Sequence, residues 1–169
     1  MLAETDFEFV VEANGEVGIF VNGDDVTTTL RSSNAGLVAS TYASQRSVRE
    51  CLITRQRFER QAPGLVADGR DMGTVVFPDA TLKVFLTGTL KARALRRHKQ
   101  LMEKGFSANL IDVEQEVSAR DQKDRSRAVS PLEPAKDAVI LDTTEIGIDE
   151  VVQKVDDLLA AKLSQSNNG

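Results

Sequence analysis

Residues 82–104, LKVFLTGTLKARALRRHKQLMEK, decide the fold class of this chain. The run LKVFLTG, rich in apolar and β-branched residues, is typical of a strand, and apolar residues at helical spacing follow it directly. Two further short apolar runs, LVAD at 65–68 and AVILDTT at 138–144, are also predicted strands. Strands that alternate with helices predict an α/β core with a parallel sheet and crossover helices. The helical patterns cover residues 89–104, 108–126 and 148–163.

The first third of the chain has a different pattern. Two alternating runs, FEFVVEA and EVGIFV, flank Asn14-Gly15, and this arrangement predicts a β-hairpin. A second pair, Asn22-Gly23, predicts another turn and with it a small antiparallel sheet. Residues 33–60 lack proline and carry apolar residues at helical spacing, so we predict helix there until Pro63-Gly64 ends it. Cys51 falls on the apolar stripe of this helix and is predicted to be a core residue.

These patterns divide the chain into three parts. We predict an insert of antiparallel strands and helices at 1–62, the α/β core at 63–163 and a polar, disordered tail at 164–169. A length of 169 residues is enough for one domain with a real hydrophobic core and such an insert.

Composition and charge exclude several classes of function. The formal net charge is −5, whereas nucleic-acid-binding domains usually carry a basic surplus. No apolar run approaches the ~18 residues that a membrane span needs. The single cysteine excludes an intramolecular disulfide and fits a reducing compartment. We therefore expect a cytoplasmic protein with neither nucleic acid nor a membrane as its partner.

Polar residues cluster at the predicted carboxyl end of the strand LVAD, in the motif Asp68-Gly69-Arg70-Asp71. Ligands of open parallel sheets bind beyond that end of the strands. Gly69 permits a sharp turn, and Arg70 offers a planar fork for a phosphate or carboxylate. Asp71 can accept a hydrogen bond from an amino group such as that of cytosine. The same residues also fit a local ion pair and turn cap, and the residues alone leave both interpretations open.

A second candidate consists of Arg120, Asp124 and Arg127. Their spacing of i, i+4 and i+7 places them on one face of a predicted helix. Two arginines with an aspartate between them can hold a sugar hydroxyl and a polyphosphate together. On composition alone, a solvated helix face with weak ion pairs is the favoured interpretation.

The basic stretch at 91–104 provides a third candidate. Arg93 and Arg97 lie one helical turn apart and can flank a nucleotide base or its phosphates, although a solvated helix surface has the same composition. His98, the single histidine, stands among basic residues and is expected to face water. Cysteine and histidine do not cluster at metal-ligand spacing, so we predict no protein metal site.

Three motifs carry a resemblance to a known family: DGRDMGTVVFPDA at 68–80, EKGF at 103–106 and RDQKDRSRAVSPL at 120–132. In this order and spacing they resemble the bacterial cytidylate kinases, nucleoside monophosphate kinases of the P-loop superfamily. The resemblance continues upstream through NGDDVTTTLRSSNAGLVAS at 22–40 and VRECLITRQR at 48–57, and so covers nearly the whole chain. It implies a P-loop kinase-like parallel sheet, with the antiparallel part as a CMP-binding insert.

The resemblance also implies an activity and a set of contacts. The activity is transfer of the γ-phosphate of ATP, with Mg²⁺, to CMP or dCMP by a monomer, and the residues given catalytic roles are Arg120 and Arg127. The implied contacts are Ser40 and Arg49 to the cytosine ring, Arg70 to the CMP phosphate, Asp71 to the base, Arg120 and Asp124 to the sugar, Arg127 to the substrate, and Arg93 and Arg97 near the ATP adenine.

One pair in this set requires a break in the predicted helix. Ser40 and Arg49 are nine residues apart, which places them on opposite sides of a continuous helix. Both can contact one base only if the helix breaks between them. We therefore predict a break within 40–49, with Ser44 or Ser47 as the cap of the second helix.

The phosphate loop of the family has the pattern G-x-x-x-x-G-K-S/T, in which backbone N–H groups surround the phosphates. None of the 11 glycines of this chain precedes a lysine. The resemblance places the loop and the first strands ahead of residue 1, so we expect this chain alone to be inactive and poorly stable. The alternative hypothesis is a non-catalytic CMP-binding or interaction protein.

Overall fold

Two strands joined by a tight turn begin the structure, a computed structural model. Strand β1 (Phe7–Val11) pairs antiparallel with β2 (Val17–Val21), with Phe7 opposite Val21. Gly15 has φ of 81°, in the left-handed region that glycine adopts without a steric cost. Asn22 and Gly23, with φ of 51° and 85°, form the second turn. It leads into β3 (Asp24–Asp25), which pairs antiparallel with β2. The predicted hairpin, second turn and small antiparallel sheet are confirmed.

The structure describes residues 5–13, 15–42 and 45–166. They belong to two compact units, Met1–Gln61 and Ala62–Gly169. Each unit has its own secondary structure. The division of function between an insert and a core remains a prediction.

The first unit contains three helices: α1 (Thr27–Leu30), α2 (Ser33–Tyr42) and α3 (Arg46–Phe58). The predicted break within 40–49 is confirmed, because α2 ends at Tyr42 and α3 begins at Arg46. Gln45 is extended, with φ of −84° and ψ of 123°, and occupies the N-cap position without a side-chain hydrogen bond. The prediction of a Ser47 cap is wrong, and Ser44 lies outside the described residues.

The prediction that Cys51 is a core residue is wrong, since its side chain is exposed. None of the residues of helix α3 is fully buried, and of its apolar stripe Val48 and Leu52 are half-buried. A cation–π contact connects α3 with the sheet. The guanidinium carbon of Arg55 lies 5.6 Å from the ring centre of Phe7 and 5.8 Å from that of Phe58.

The second unit is built on two parallel strands, β4 (Val84–Thr87) and β5 (Val139–Asp142), with Val84 opposite Val139. Helices α4 (Leu90–Glu103) and α5 (Leu110–Arg125) lie between them in sequence, and α6 (Ile148–Ser166) follows β5. The predicted α/β class, the parallel pairing and the three helices are confirmed. Because α6 extends to Ser166, the first three residues of the predicted disordered tail are helical, which corrects that prediction.

Side chains fix where these helices begin. The Thr89 hydroxyl accepts a hydrogen bond from the Ala92 N–H, at 3.3 Å, and so caps α4. The Asn109 carbonyl oxygen Oδ1 accepts one from the Ile111 N–H, at 2.8 Å, and caps α5. None of the helices in the described part of the chain is long and apolar enough to cross a membrane.

The strand predicted for LVAD is absent: residues 65–68 are irregular, and Val66 is 99% exposed. A strand needs a neighbour that satisfies its backbone N–H and C=O groups. In the described part of the second unit, β4 and β5 pair with each other, and no strand pairs with residues 65–68. LVAD has the apolar pattern of a strand, but within the described residues of the second unit no strand offers hydrogen-bonding partners to its backbone.

The core of the second unit contains Val76, Phe77, Ala94 and Val113, each less than about a tenth exposed. Two of these residues come from helices, Ala94 from α4 and Val113 from α5, and Val76 comes from a π-helical turn at Met72–Val76. That turn is anchored by the Asp71 carbonyl, which accepts hydrogen bonds from the N–H groups of Val75 and Val76 at 2.9 and 3.2 Å.

Lys83 joins the segments that lead into the two strands of the parallel sheet. Its side chain is 8% exposed, and Nζ donates to both Asp137 carboxylate oxygens at 2.9 and 2.8 Å and to the Pro78 carbonyl at 2.6 Å. The hydrogen bond from Lys83 holds the pKa of Asp137 below its ordinary value. The pair therefore favours the folded state only while Asp137 is ionised.

We expect the stability advantage of wild type over Asp137→Asn to depend on pH. A lowered folded pKa contributes stability that is complete above the unfolded pKa of about 3.9 and is lost as the pH falls through the folded pKa. Urea unfolding should show a constant difference between the two proteins above about pH 5 and a shrinking one below about pH 4. A difference that stays constant down to about pH 2 would contradict this assignment.

Candidate functional site

The polar turn predicted after LVAD places its two aspartates in different surroundings. Asp68 is exposed, whereas Asp71 is 4% exposed and precedes the π-helical turn that its carbonyl anchors. A Cβ atom at Gly69 would lie 2.8 Å from Cε and 2.9 Å from Cγ of Met72, so glycine lets the turn pack closely on that side chain. The backbone therefore fixes Asp71 and leaves Asp68 at the surface.

Asp124 is the centre of the site. It lies in the last turn of α5, and the residue is 1% exposed. The Arg70 Nε atom donates to its Oδ2 at 2.9 Å, across 54 residues of sequence. The Arg127 Nη2 atom lies 2.5 Å from its Oδ1, an ion-pair contact without hydrogen-bond geometry at that oxygen. One carboxylate therefore contacts two guanidinium groups, and a guanidinium group that is open to solvent suits an anionic ligand.

The two arginines of the second predicted motif have different positions. Helix α5 ends at Arg125, so Arg127 lies beyond it and the predicted shared helical face holds only for Arg120 and Asp124. The chain turns back after the helix, and the Leu132 N–H donates to the Asp124 carbonyl at 2.8 Å. This return keeps Arg127 beside Asp124 although the helix has ended. Arg120 is exposed on α5 and lies outside the cluster.

The interpretation of this motif as a solvated face is wrong for Asp124. Weak surface ion pairs involve exposed groups, but the side chain of Asp124 is 2% exposed and that of Arg127 is 9% exposed. Only the Arg70 side chain, at 36% exposure, reaches solvent to a large extent. The cluster therefore has one open member, Arg70, supported by two buried ones.

Arg93 lies on a separate surface formed by α4 and α5. Its Nη2 atom is 2.5 Å from Asp121 Oδ2, and its Nε atom donates to the Gly88 carbonyl at 3.1 Å. The ion pair borders an open cavity of about 610 Å³. Arg97 is half-buried one turn further along α4 and does not line this cavity. The cavity is lined by Leu90, Arg93, Ser118, Asp121, Gln122, Arg125 and Ser126.

Sequence reasoning missed Arg96 and Thr143, which fix α4 on the sheet. The Arg96 fork donates from Nη1 to the Thr143 hydroxyl, at 2.9 Å, and from Nη2 to the Thr143 carbonyl. The N–H and hydroxyl of Thr143 both donate to the Thr87 carbonyl at the end of β4, at 2.8 and 2.9 Å. The available signal was the position of Thr143 at the carboxyl end of the predicted strand AVILDTT.

The prediction for His98 is wrong, and Thr144 at the end of β5 makes further polar contacts. His98, expected to face water, is half-buried and its Nε2 atom lies 3.0 Å from the Ala108 carbonyl. Hydrogen bonds from the hydroxyl and the N–H of Thr144, at 2.6 and 2.8 Å, hold the pKa of Asp142 below its ordinary value. Thr144 also accepts a hydrogen bond from the Thr89 N–H at 3.0 Å, so the end of β5 supports the start of α4.

Ser40 and Arg49 belong to the first unit. Ser40 lies in α2, and Arg49 is half-buried in α3, beyond the confirmed helix break. The structure places these two residues on separate helices, as their assignment to one base requires.

Comparisons with known proteins show the family to which the chain belongs. The family model described as cytidylate kinase matches residues 1–161. The chain is 47% identical to a cytidylate kinase of Paraburkholderia phymatum over 172 residues, which cover 98% of this chain and 75% of that relative. It is 49% identical to cytidylate kinases of Aeromonas hydrophila and Proteus mirabilis, over 92% and 91% of this chain and 67% and 68% of those relatives. The chain belongs to the cytidylate kinase family.

Proposed function

We propose that this chain carries the acceptor-nucleotide site of a cytidylate kinase, which transfers the γ-phosphate of ATP to CMP or dCMP and forms CDP or dCDP. The observation that carries the proposal is the buried Asp124 carboxylate in contact with the guanidinium groups of Arg70 and Arg127, of which that of Arg70 is open to solvent. A phosphate monoester is an anion that matches the positive charge and the planar fork of arginine. Membership of the cytidylate kinase family makes CMP the expected ligand.

Phosphoryl transfer suits a site of this composition. The reaction depends on positioning of the two nucleotides and on neutralisation of charge on the transferred group, and it needs little covalent chemistry from the protein. Arg70 is assigned to the CMP phosphate, and Arg120 and Arg127 to stabilisation of negative charge during transfer. The exposed Arg120 has the freedom to reach the sugar or the phosphates.

The base is assigned to Asp71 with Ser40 and Arg49. A carboxylate accepts a hydrogen bond from the exocyclic amino group of cytosine, while uracil presents an oxygen at the same place and would be repelled. The rigid backbone of Asp71, fixed by two hydrogen bonds to its carbonyl, supports a selective contact. Ser40 and Arg49 are proposed as further contacts to the cytosine ring.

Arg93 and Arg97 of α4 are assigned to the side of ATP. Mg²⁺ enters with ATP, since magnesium in kinases is bound largely by substrate phosphates and water. Within the described residues no group of three or more histidine, cysteine or acidic side chains is arranged to hold a metal ion. We also propose a cytoplasmic location, which the single cysteine favours.

A chimera tests the proposed activity. The match covers 75% of the Paraburkholderia phymatum relative, and the rest of that protein can be joined to this chain. The chimera would then include the part of the family to which the resemblance assigns the phosphate loop. We expect the chimera to form CDP from CMP and ATP with Mg²⁺, and to use UMP and AMP much more slowly. A folded chimera that binds CMP but forms no CDP would contradict the kinase function and favour a binding protein.

A further inference from the structure

Lys83, which directly precedes β4, has a side chain that is held at its far end. The side chain is 8% exposed, and Nζ donates to both carboxylate oxygens of Asp137, at 2.9 and 2.8 Å, and to the Pro78 carbonyl at 2.6 Å. A lysine side chain has many rotamers when it is free, and three acceptors at one ammonium group select few of them. The aliphatic part of Lys83 therefore forms a fixed surface inside the second unit.

Gly73, in the π-helical turn at Met72–Val76, packs on this surface. A Cβ atom at Gly73 would lie 3.2 Å from Cδ and 3.3 Å from Cγ of Lys83. Carbon atoms in optimal contact are about 3.5–4.0 Å apart, so an added methyl group would push the turn away from the lysine. The backbone of Gly73 lies outside the left-handed region. The contact with Lys83, and not the backbone conformation, makes alanine unfavourable at this position.

The same turn fixes the backbone of Asp71, which directly precedes it. The Asp71 carbonyl accepts hydrogen bonds from the N–H groups of Val75 and Val76, at 2.9 and 3.2 Å. Val76 is 1% exposed and packs in the core, whereas Gly73 contacts the side chain of Lys83. The turn is thus held by the core at one point and by Lys83 at another. Any shift of the turn away from Lys83 must also move Asp71.

We propose that Lys83 is a positioning residue that, through its contact with Gly73, sets the place of the Asp71 carboxylate and with it the discrimination between cytosine and uracil. This inference rests on the proposed function, in which Asp71 contacts the base. Lys83 acts through the turn and not by contact with the nucleotide. Hydrogen bonds weaken steeply as their geometry departs from the optimum, so a small shift of the carboxylate reduces the selectivity.

Calorimetric titration with CMP and with UMP measures the ratio of the two Kd values in each variant. In wild type, we expect CMP to bind at least about 5-fold more tightly than UMP. In Lys83→Ala and in Gly73→Ala this preference should fall at least about 3-fold. Because both substitutions act on one contact, the double variant should lose no more than the larger of the two single losses.

The ratio of the two Kd values separates positioning from stability. Partial unfolding lowers the apparent affinity for both nucleotides by the same factor and leaves their ratio unchanged. In Lys83→Ala the Asp137 carboxylate, whose side chain is 65% exposed, regains water, so no unpaired charge is buried.

The control is Asp137→Asn, which removes the charge that faces Lys83. It keeps a side-chain oxygen that can accept from Nζ, and the Pro78 carbonyl also remains as an acceptor. This variant should lose stability and retain the wild-type preference for CMP. A wild-type preference in Lys83→Ala or Gly73→Ala would overturn the proposal. An equal loss of preference in Asp137→Asn and Lys83→Ala would overturn it as well.

Amide hydrogen exchange tests the same contact without a nucleotide. In Lys83→Ala, the amides of Val75 and Val76 should exchange at least about 10-fold faster than in wild type when both proteins are referred to the amides of α5. Equal acceleration in the turn and in α5 would show a global loss of stability and overturn the proposal. Wild-type protein that binds CMP and UMP equally would contradict the base contact of Asp71 and the inference with it. A wild-type preference for CMP that both single variants keep would refute only the role of Lys83.

Discussion

Replacement of Asp124 by alanine is expected to destabilise the second unit by roughly 3 kcal/mol. Removal of one partner of a buried ion pair leaves an uncompensated charge, and this typically costs about 3–5 kcal/mol. The lower value applies because Arg70, at 36% side-chain exposure, can regain water. The loss would be a large fraction of the stability of an ordinary domain, about 5–15 kcal/mol.

Urea unfolding followed by far-ultraviolet circular dichroism measures this loss. The control is Glu116→Ala, an exposed position on α5, where we expect a change within about 0.5 kcal/mol. Amide hydrogen exchange in α5 and in the segment up to Leu132 should accelerate with the loss of global stability. A cost below about 1 kcal/mol would mean that Asp124 is no more than a surface ion pair.

Replacement of Asp71 by asparagine is expected to abolish discrimination between CMP and UMP. In wild type the carboxylate accepts from the cytosine amino group and repels the uracil oxygen, a preference of about 1–3 kcal/mol or about 5- to 150-fold in Kd. An asparagine amide can accept from the one base or donate to the other, so the ratio of the two affinities should approach one. The isosteric change keeps the volume of a side chain whose residue is 4% exposed.

Asp68→Asn is the matched control, since Asp68 is an exposed carboxylate in the same turn. It should retain the preference for CMP. Competition between CMP and UMP in a titration of the 169-residue chain provides the measurement. Equal effects of the two substitutions would contradict the assignment of Asp71 to the base and point to the general charge of the turn.

The fold was predictable where local signals determine structure. Asn-Gly turns, alternating runs and helical spacing each act over a few residues, which is why β1, β2 and α4 to α6 were recognised from the sequence. The failures depend on distant contacts. LVAD has the pattern of a strand but no partner in the described residues, and Cys51 lies on an apolar stripe of α3 but its own side chain is exposed.

In the candidate site, too, local sequence motifs were predictable and contacts between distant residues were not. Arg70, Asp124 and Arg127 were identified as polar motifs in the sequence, and their resemblance to the family gave them roles. The ion pair across 54 residues between Arg70 and Asp124 could not be predicted, because it depends on how α5 ends and packs. Arg96 and Thr143 were missed for the same reason, since hydrogen bonds from an arginine guanidinium group to a threonine that is distant in sequence leave no local sequence pattern.

Titration of the ¹⁵N-labelled chain with CMP tests the central claim most directly. If the second unit contains the acceptor site, amide signals of residues 69–72 and of residues 124–132 should shift together and saturate at one CMP concentration, and UMP should require a higher one. The α6 helix, Ile148–Ser166, serves as the internal reference and should not shift. Absence of saturable shifts in these two segments, with the protein folded, would contradict the claim that this chain holds the CMP site.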